Sequence, residues 1–215
     1  MLLEDARKQI IDICRKLVKY DLVNMTAGNV SYKDNKSNLV AVTPSGMDYM
    51  TLEPVDIVVV DMSGKVVEGN RKPSIETPMH LAIYKVRPDI AAVVHTHSLY
   101  ATAIGCLGID LPVVTLEIAM HIGSKVPVSC YAMPSTKELA QNVAEMLRDH
   151  NATLMPNHGV CAVGRDLNEA LSNAYAVELS AKIYHIAKTL GEPKTISQDE
   201  VRKIREFAET KYGQR

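Results

Sequence analysis

Short Val- and Ile-rich runs separated by turns of only a few residues are the feature that most limits the fold of this chain. Leu39–Val42 and residues 56–60 read as strands. They are followed by Thr43-Pro44-Ser45-Gly46 and Asp61-Met62-Ser63-Gly64, both turn-forming tetrads. Val66-Val67 can then complete a hairpin with 56–60. Connections this short reverse the chain between antiparallel neighbours, whereas a parallel pair needs a crossover of about a dozen residues or more. A doubly wound parallel sheet is therefore disfavoured.

Helix-period stripes alternate with these runs. Ile10, Ile13, Cys14, Leu17 and Val18 make one apolar face over 3–20. Thr26-Ala27-Gly28-Asn29-Val30-Ser31 then gives a tight small-residue passage into a strand. Residues 77–86 read as a helix with Pro78 in its first turn, 90–95 as a buried strand, and 98–107 as a helix. Residues 125–131 read as a strand, and Ser135-Thr136-Lys137-Glu138 as a capping box before the next helix. Strands at 152–155 and 159–163 flank Asn157-His158. Asp166 caps a helix over 167–190 that Gly191 and Pro193 end, and 198–210 forms the last helix. About five helices and seven to nine short strands, interleaved, predict a single α/β domain over 1–215. Its expected core is a largely antiparallel mixed sheet flanked by helices.

Composition removes several classes of function. The 215 residues include 24 basic and 25 acidic side chains, giving a net charge of -1. No polybasic face for nucleic acid is expected from that balance. With no Trp and one Phe, a stacking platform for single strands is not expected either. No apolar run approaches the roughly 20 residues of a membrane span, and the N-terminus lacks signal-peptide order. The four cysteines at 14, 106, 130 and 161 form no CxxC pair, so Cys14 and Cys161 read as buried free thiols. A cytoplasmic location is the default expectation.

The sharpest chemical feature is His95-Thr96-His97 at the end of the 90–95 run. On an extended segment, residues i and i+2 share a face, so both rings can converge on one ion. Alone, the HxH pattern also fits paired histidines in an ordinary core. Asn157-His158-Gly159 supplies a third imidazole at a strand edge, where glycine allows close backbone approach. Three neutral histidines with one open position are typical of a catalytic zinc site. Glu76, in Pro73-Ser74-Ile75-Glu76-Thr77-Pro78, either complements a helix dipole or serves the metal as fourth ligand or general base. Gly28, Asn29, Ser45, Gly46 and Ser74 offer N–H groups, an amide and hydroxyls that can cradle phosphate, or they are plain turn chemistry. His80, one turn beyond Glu76, can support the site from behind. His121 falls in a loop near a cleft, and His150 and His185 read as surface residues.

Taken in chain order, these motifs resemble the class II aldolase/adducin family, most closely its fuculose-phosphate aldolase branch, over nearly the whole chain. The resemblance implies an antiparallel sheet flanked by helices and a four-fold homotetramer with sites near subunit boundaries. It implies one zinc ion per subunit on His95, His97 and His158. Glu76 then acts as metal ligand and acid/base, and Gly28, Asn29, Ser45, Gly46 and Ser74 hold a substrate phosphate. Tyr212 matches a tail tyrosine that reaches a neighbouring site. The implied reaction is reversible cleavage of a ketose 1-phosphate, such as L-fuculose 1-phosphate, to dihydroxyacetone phosphate and an aldehyde. The sequence departs from the pattern at Ile75, where a second serine is usual, and at Leu116, where a tyrosine is expected. Glu117 beside it stands as an extra acid/base on the aldehyde side, or as a structural carboxylate. These departures keep two alternatives open on the same scaffold, a pentulose-phosphate epimerase and a thio-sugar-phosphate dehydratase. The related epimerases carry aspartate at position 76. A non-catalytic adducin-like module would be expected to have lost the ligands.

Overall fold

The computed structural model describes residues 1–211. Seven strands form one sheet: β1 (Asn29–Asp34), β2 (Leu39–Val42), β3 (Val58–Val60), β4 (Val66–Glu68), β5 (Ala92–Thr96), β6 (Ala152–Met155) and β7 (Gly159–Gly164). Their spatial order is β4-β3-β2-β1-β5-β7-β6. Every neighbouring pair is antiparallel. The short turns after β1, β3 and β6 accordingly join adjacent strands.

The described residues include six α-helices: α1 (Glu4–Lys19), α2 (Thr77–Val86), α3 (Leu99–Cys106), α4 (Lys137–Met146), α5 (Leu167–Leu190) and α6 (Gln198–Thr210). Residues of every strand except the exposed edge strand β4 enter two apolar clusters, one on each face of the sheet. Val30, Val94, Val160 and Ala162 pack with residues of α1, α3 and α5. Val42, Val93, Cys161 and Val163 pack with Met79, Ile83 and Tyr84 of α2 and Leu139 and Val143 of α4. Helices thus lie on both faces, and all five residues of β5 and all six of β7 are buried. That burial explains why these two strands read as continuous apolar runs, a pattern more usual in parallel sheets.

Four local expectations are corrected. Residues 125–131 form no strand, and their sheet-like pairing is limited to the isolated bridges Leu111↔Val126 and Val128↔Leu154. Pro127 between them has no N–H to extend a ladder. The strand expected over 56–60 begins at Val58, because Pro54–Asp56 winds into a 3-10 turn in which Asp56 caps the Glu53 N–H. The cap of α4 is Thr136, whose hydroxyl accepts the Leu139 N–H, while Ser135 takes a left-handed φ of 66°. His121, expected in a loop, lies on a single π-helical turn, Ile118–Ile122.

Other signals hold. Asp166 accepts the Glu169 N–H at 2.8 Å and starts α5. Ser197 and Glu200 form a reciprocal cap on α6. Among the described residues, no helix is long and apolar enough to cross a membrane. The helix-capping argument predicts that Asp166→Ala lowers unfolding free energy by about 1 kcal/mol, read from the urea midpoint at unchanged m-value.

Candidate metal centre and ligand pocket

The register of the three central strands assembles the site. Asn29 of β1 stands opposite His95 of β5, and His95 stands opposite Cys161 of β7. His97 follows β5 and His158 precedes β7, so both rings reach the end where His95 points. The β6–β7 turn is Pro156-Asn157-His158, closed by the His158 N–H donating to the Met155 carbonyl at 3.1 Å. Asn157 takes φ 57°, which asparagine tolerates better than most residues. Gly159 packs so closely on β5 that a Cβ there would lie 2.1 Å from the Thr96 carbonyl oxygen. Its lack of a side chain is what lets the turn carrying His158 approach His95 and His97.

The three ring centroids lie 4.8, 4.8 and 4.9 Å apart. The Nε2 atoms of His95 and His97 are 3.0 Å apart. His95 Nδ1 lies 2.8 Å from the Val160 carbonyl. A carbonyl only accepts, so Nδ1 carries the hydrogen and the neutral ring turns its Nε2 lone pair toward the cluster. Glu76, just before α2, completes the group. Its Oε2 is 3.2 Å from His95 Nε2 and its Oε1 is 3.4 Å from His158 Nε2. Glu76 Oε1 and His158 Nδ1 are buried without a hydrogen-bond partner.

Electrostatics favour the protonation states a cation needs. Burial pushes His95 down to about 4, and Glu76 beside it only partly offsets this. His97 is also lowered by burial, with His158 adding to the effect. Burial opposes ionisation of Glu76, but His95, the Asn29 amide and His158 together hold its carboxyl below the usual carboxylate range. The donor set is therefore neutral nitrogen plus carboxylate oxygen. Ligand atoms of His95, His97 and His158 lie within 4.8 Å of one another. Lone pairs facing each other at 3.0 Å repel unless a proton or cation lies between them, so these residues fit a divalent ion.

A cavity of about 390 Å³ opens above the cluster, within the size range of small-ligand sites. Glu76, His97 and His158 form part of its wall, and Gly28, Asn29, Ser45, Gly46 and Ser74 are among the other lining residues. Gly28 has φ 78°, and a Cβ there would sit 2.6 Å from the His95 carbonyl. The Ser45 and Ser74 N–H groups already donate to Lys72 and Thr43 carbonyls. The Ser74 hydroxyl accepts the Glu76 N–H, which leaves its own hydrogen for a ligand. Asn29 Nδ2 donates to Glu76 at 2.9 Å and its Oδ1 faces His80. One Nδ2 hydrogen is thus left for a ligand. Ile75 is 64% exposed at the cavity edge.

Two expected residues do not join this group. Glu117 lines a different cavity of about 550 Å³ with His121, Lys16, Tyr20 and Tyr175. It stands at the start of the π-helical turn, and in this chain it is not part of the metal pocket. Tyr212 lies outside the described residues. The sequence reading missed Pro134, which also lines the pocket, and the Ser31–Tyr84 pair behind His80. The equal spacing of Glu76, His80 and Tyr84 was the available signal for that pair.

Residues 8–185 match the family described as Class II Aldolase and Adducin N-terminal domain. A 5-deoxy-D-ribulose 1-phosphate aldolase of Bacillus thuringiensis serovar kurstaki is 40% identical over 214 residues, covering 100% of both chains. An L-fuculose phosphate aldolase of Escherichia coli K12 is 37% identical over 193 residues, covering 90% of this chain and 88% of that protein. A solved L-fuculose 1-phosphate aldolase superposes with a TM-score of 0.92 at 42% identity, covering 96% of this chain and 97% of that one. The chain therefore belongs to the class II aldolase and adducin family, among its metal-dependent lyases.

Burial also sets a pH dependence. His80, fully buried, is pushed down to about 3, and His95 to about 4. Both folded values lie below the ordinary 6.5, so the unfolded chain binds more protons at acid pH. The neutral rings' contribution is intact above pH 6.5 and is lost as pH falls toward 4 and 3. Metal-free protein should show its urea midpoint dropping steadily from pH 7 to pH 4. A flat profile over that window contradicts the assignment.

Proposed function

We propose that this chain is a zinc-dependent aldolase that reversibly cleaves a ketose 1-phosphate to dihydroxyacetone phosphate and an aldehyde. The observation that carries the reading is the convergence of His95, His97 and His158 on one point, with both Glu76 oxygens 3.2–3.4 Å from ring nitrogens. The polar small-residue wall beside them supports a phosphate subsite at Gly28, Asn29, Ser45, Gly46 and Ser74. The full-length similarity to a 5-deoxy-D-ribulose 1-phosphate aldolase supports a 5-deoxypentulose 1-phosphate. L-fuculose 1-phosphate is the neighbouring choice. The catalytic unit on this reading is the whole of 1–215, in a cytoplasmic homotetramer with sites near subunit boundaries.

His95, His97 and His158 would hold the zinc ion, with Glu76 as a further ligand. When bound, the ion supplies Lewis acidity that offsets negative charge developing on the substrate's oxygens. The pocket wall fixes the phosphate and thereby places the carbon chain beside Glu76. In cleavage, the hydroxyl on the far side of the scissile bond loses its proton, and the C–C electron pair passes to the dihydroxyacetone phosphate fragment. Protonated Glu76 delivers a proton to that carbon, and in the synthetic direction its carboxylate removes it. Tyr212 would exchange the proton of the aldehyde-side oxygen at a neighbouring subunit's site, while Glu117, which lines the separate cavity, is given no part in this step.

Metal-loaded protein should release dihydroxyacetone phosphate from at least one ketose 1-phosphate in a panel of deoxypentulose and deoxyhexulose phosphates. Chelation should abolish release and added zinc should restore it. NMR of the products separates cleavage into two fragments from epimerisation, which conserves the carbon count. Turnover of none of the panel ends the reading. Glu76→Gln should retain three histidine ligands yet lower kcat by about 10²- to 10⁴-fold, measured beside zinc content per chain.

A further inference from the structure

Glu76, His80 and Tyr84 are spaced one helical turn apart, about 6 Å per step. Asn29 and Ser31 project from one face of β1, also about 6–7 Å apart. The matched spacings let the two rows interleave. Asn29 lies between Glu76 and His80, and Ser31 between His80 and Tyr84. All five side chains are buried, with exposures of 0–5%.

The direction of each hydrogen bond follows from what each atom can do. The Glu76 carboxylate only accepts, so Asn29 turns its NH₂ toward Oε2, 2.9 Å away. That orientation points Asn29 Oδ1 at His80 Nε2. Oδ1 also only accepts, so Nε2 must carry the ring's hydrogen. In the neutral ring Nδ1 is then an acceptor, and the Ser31 hydroxyl donates to it at 2.6 Å. With the Ser31 hydrogen spent on His80, the Tyr84 hydroxyl turns its own hydrogen to Ser31 at 2.8 Å, the nearer of two acceptors, with the Ala91 carbonyl at 3.3 Å. Every donor in the row points toward Glu76 Oε2, while Oε1 has no hydrogen-bond partner.

We propose that His80 is a positioning residue for the aldolase reaction: by locking the Asn29 amide it ties down one oxygen of Glu76 and leaves the other directed at the reacting atoms. His80 is not one of the three clustered rings and does not line the cavity. Its effect should therefore fall on the orientation of Glu76 and not on metal capture. The kinetic consequence rests on the aldolase reading; the ring's hydrogen-bonding state does not.

Two measurements on zinc-loaded protein test this. Long-range ¹H–¹⁵N correlation of histidine-labelled protein, with His80→Gln used for assignment, should show the His80 ring protonated at Nε2 only. A ring protonated at Nδ1 overturns the proposal, whether or not the protein cleaves any ketose phosphate. In steady-state kinetics on the cleaved substrate, His80→Leu should lower kcat about 10- to 100-fold, with KM within about twofold and zinc content unchanged. His80→Gln, whose amide can still donate to Asn29, should recover most of that loss. Unchanged kcat in zinc-loaded His80→Leu, or His80→Gln no better than His80→Leu, overturns it. Wild-type protein that cleaves nothing ends the aldolase reading and leaves the tautomer result to decide this one.

Discussion

Strand β5 is hydrogen-bonded on both sides, to β1 from Asn29↔His95 to Tyr32↔Ala92 and to β7 from Ala92↔Gly164 to Thr96↔Val160. The site depends on these two ladders. A slip of one residue would turn His95 to the opposite face of the sheet, because strand side chains alternate. The contact of Gly159 with the Thr96 carbonyl closes the same seam at its end. Backbone pairing, more than any side-chain contact, fixes where the imidazoles meet.

The site also keeps polar groups in a place where they are costly. Glu76 is 5% exposed and His95 fully buried, between two apolar layers. A buried carboxylate is tolerated when it is hydrogen-bonded or paired. Asn29 supplies one bond to Glu76. The partnerless Oε1 is the remaining unmet demand in the carboxylate. A cation meeting that demand would link the stability of the site to what it binds.

Much of this was legible in the sequence, for identifiable reasons. Helices with strong periodicity or clear caps, such as α1 and α5, follow local rules. The His95/His97 pair was visible because strand alternation puts i and i+2 together. Gly159 beside His158 signalled close approach, and the Thr96 contact supplies its cause. Residues 125–131 misled because β-branched composition marks burial as well as pairing, and Pro127 interrupts the ladder. Glu117 shows a different limit: the likeness at 116–117 carries no information on which cavity of a single chain the side chain lines. Of the row behind Glu76, only the one-turn spacing of Glu76, His80 and Tyr84 was visible; its interleaving with Asn29 and Ser31 needs the register of α2 against β1, a tertiary fact.

The residues that meet at the pocket are scattered along the polypeptide, from Thr26 ahead of β1 to His158 before β7. Non-local pairing of this kind raises contact order and slows folding relative to helical domains of similar size. No early hairpin or isolated helix can present the complete donor set. An ion that binds all three rings therefore recognises a finished sheet, and its capture doubles as a proofreading step on the native topology.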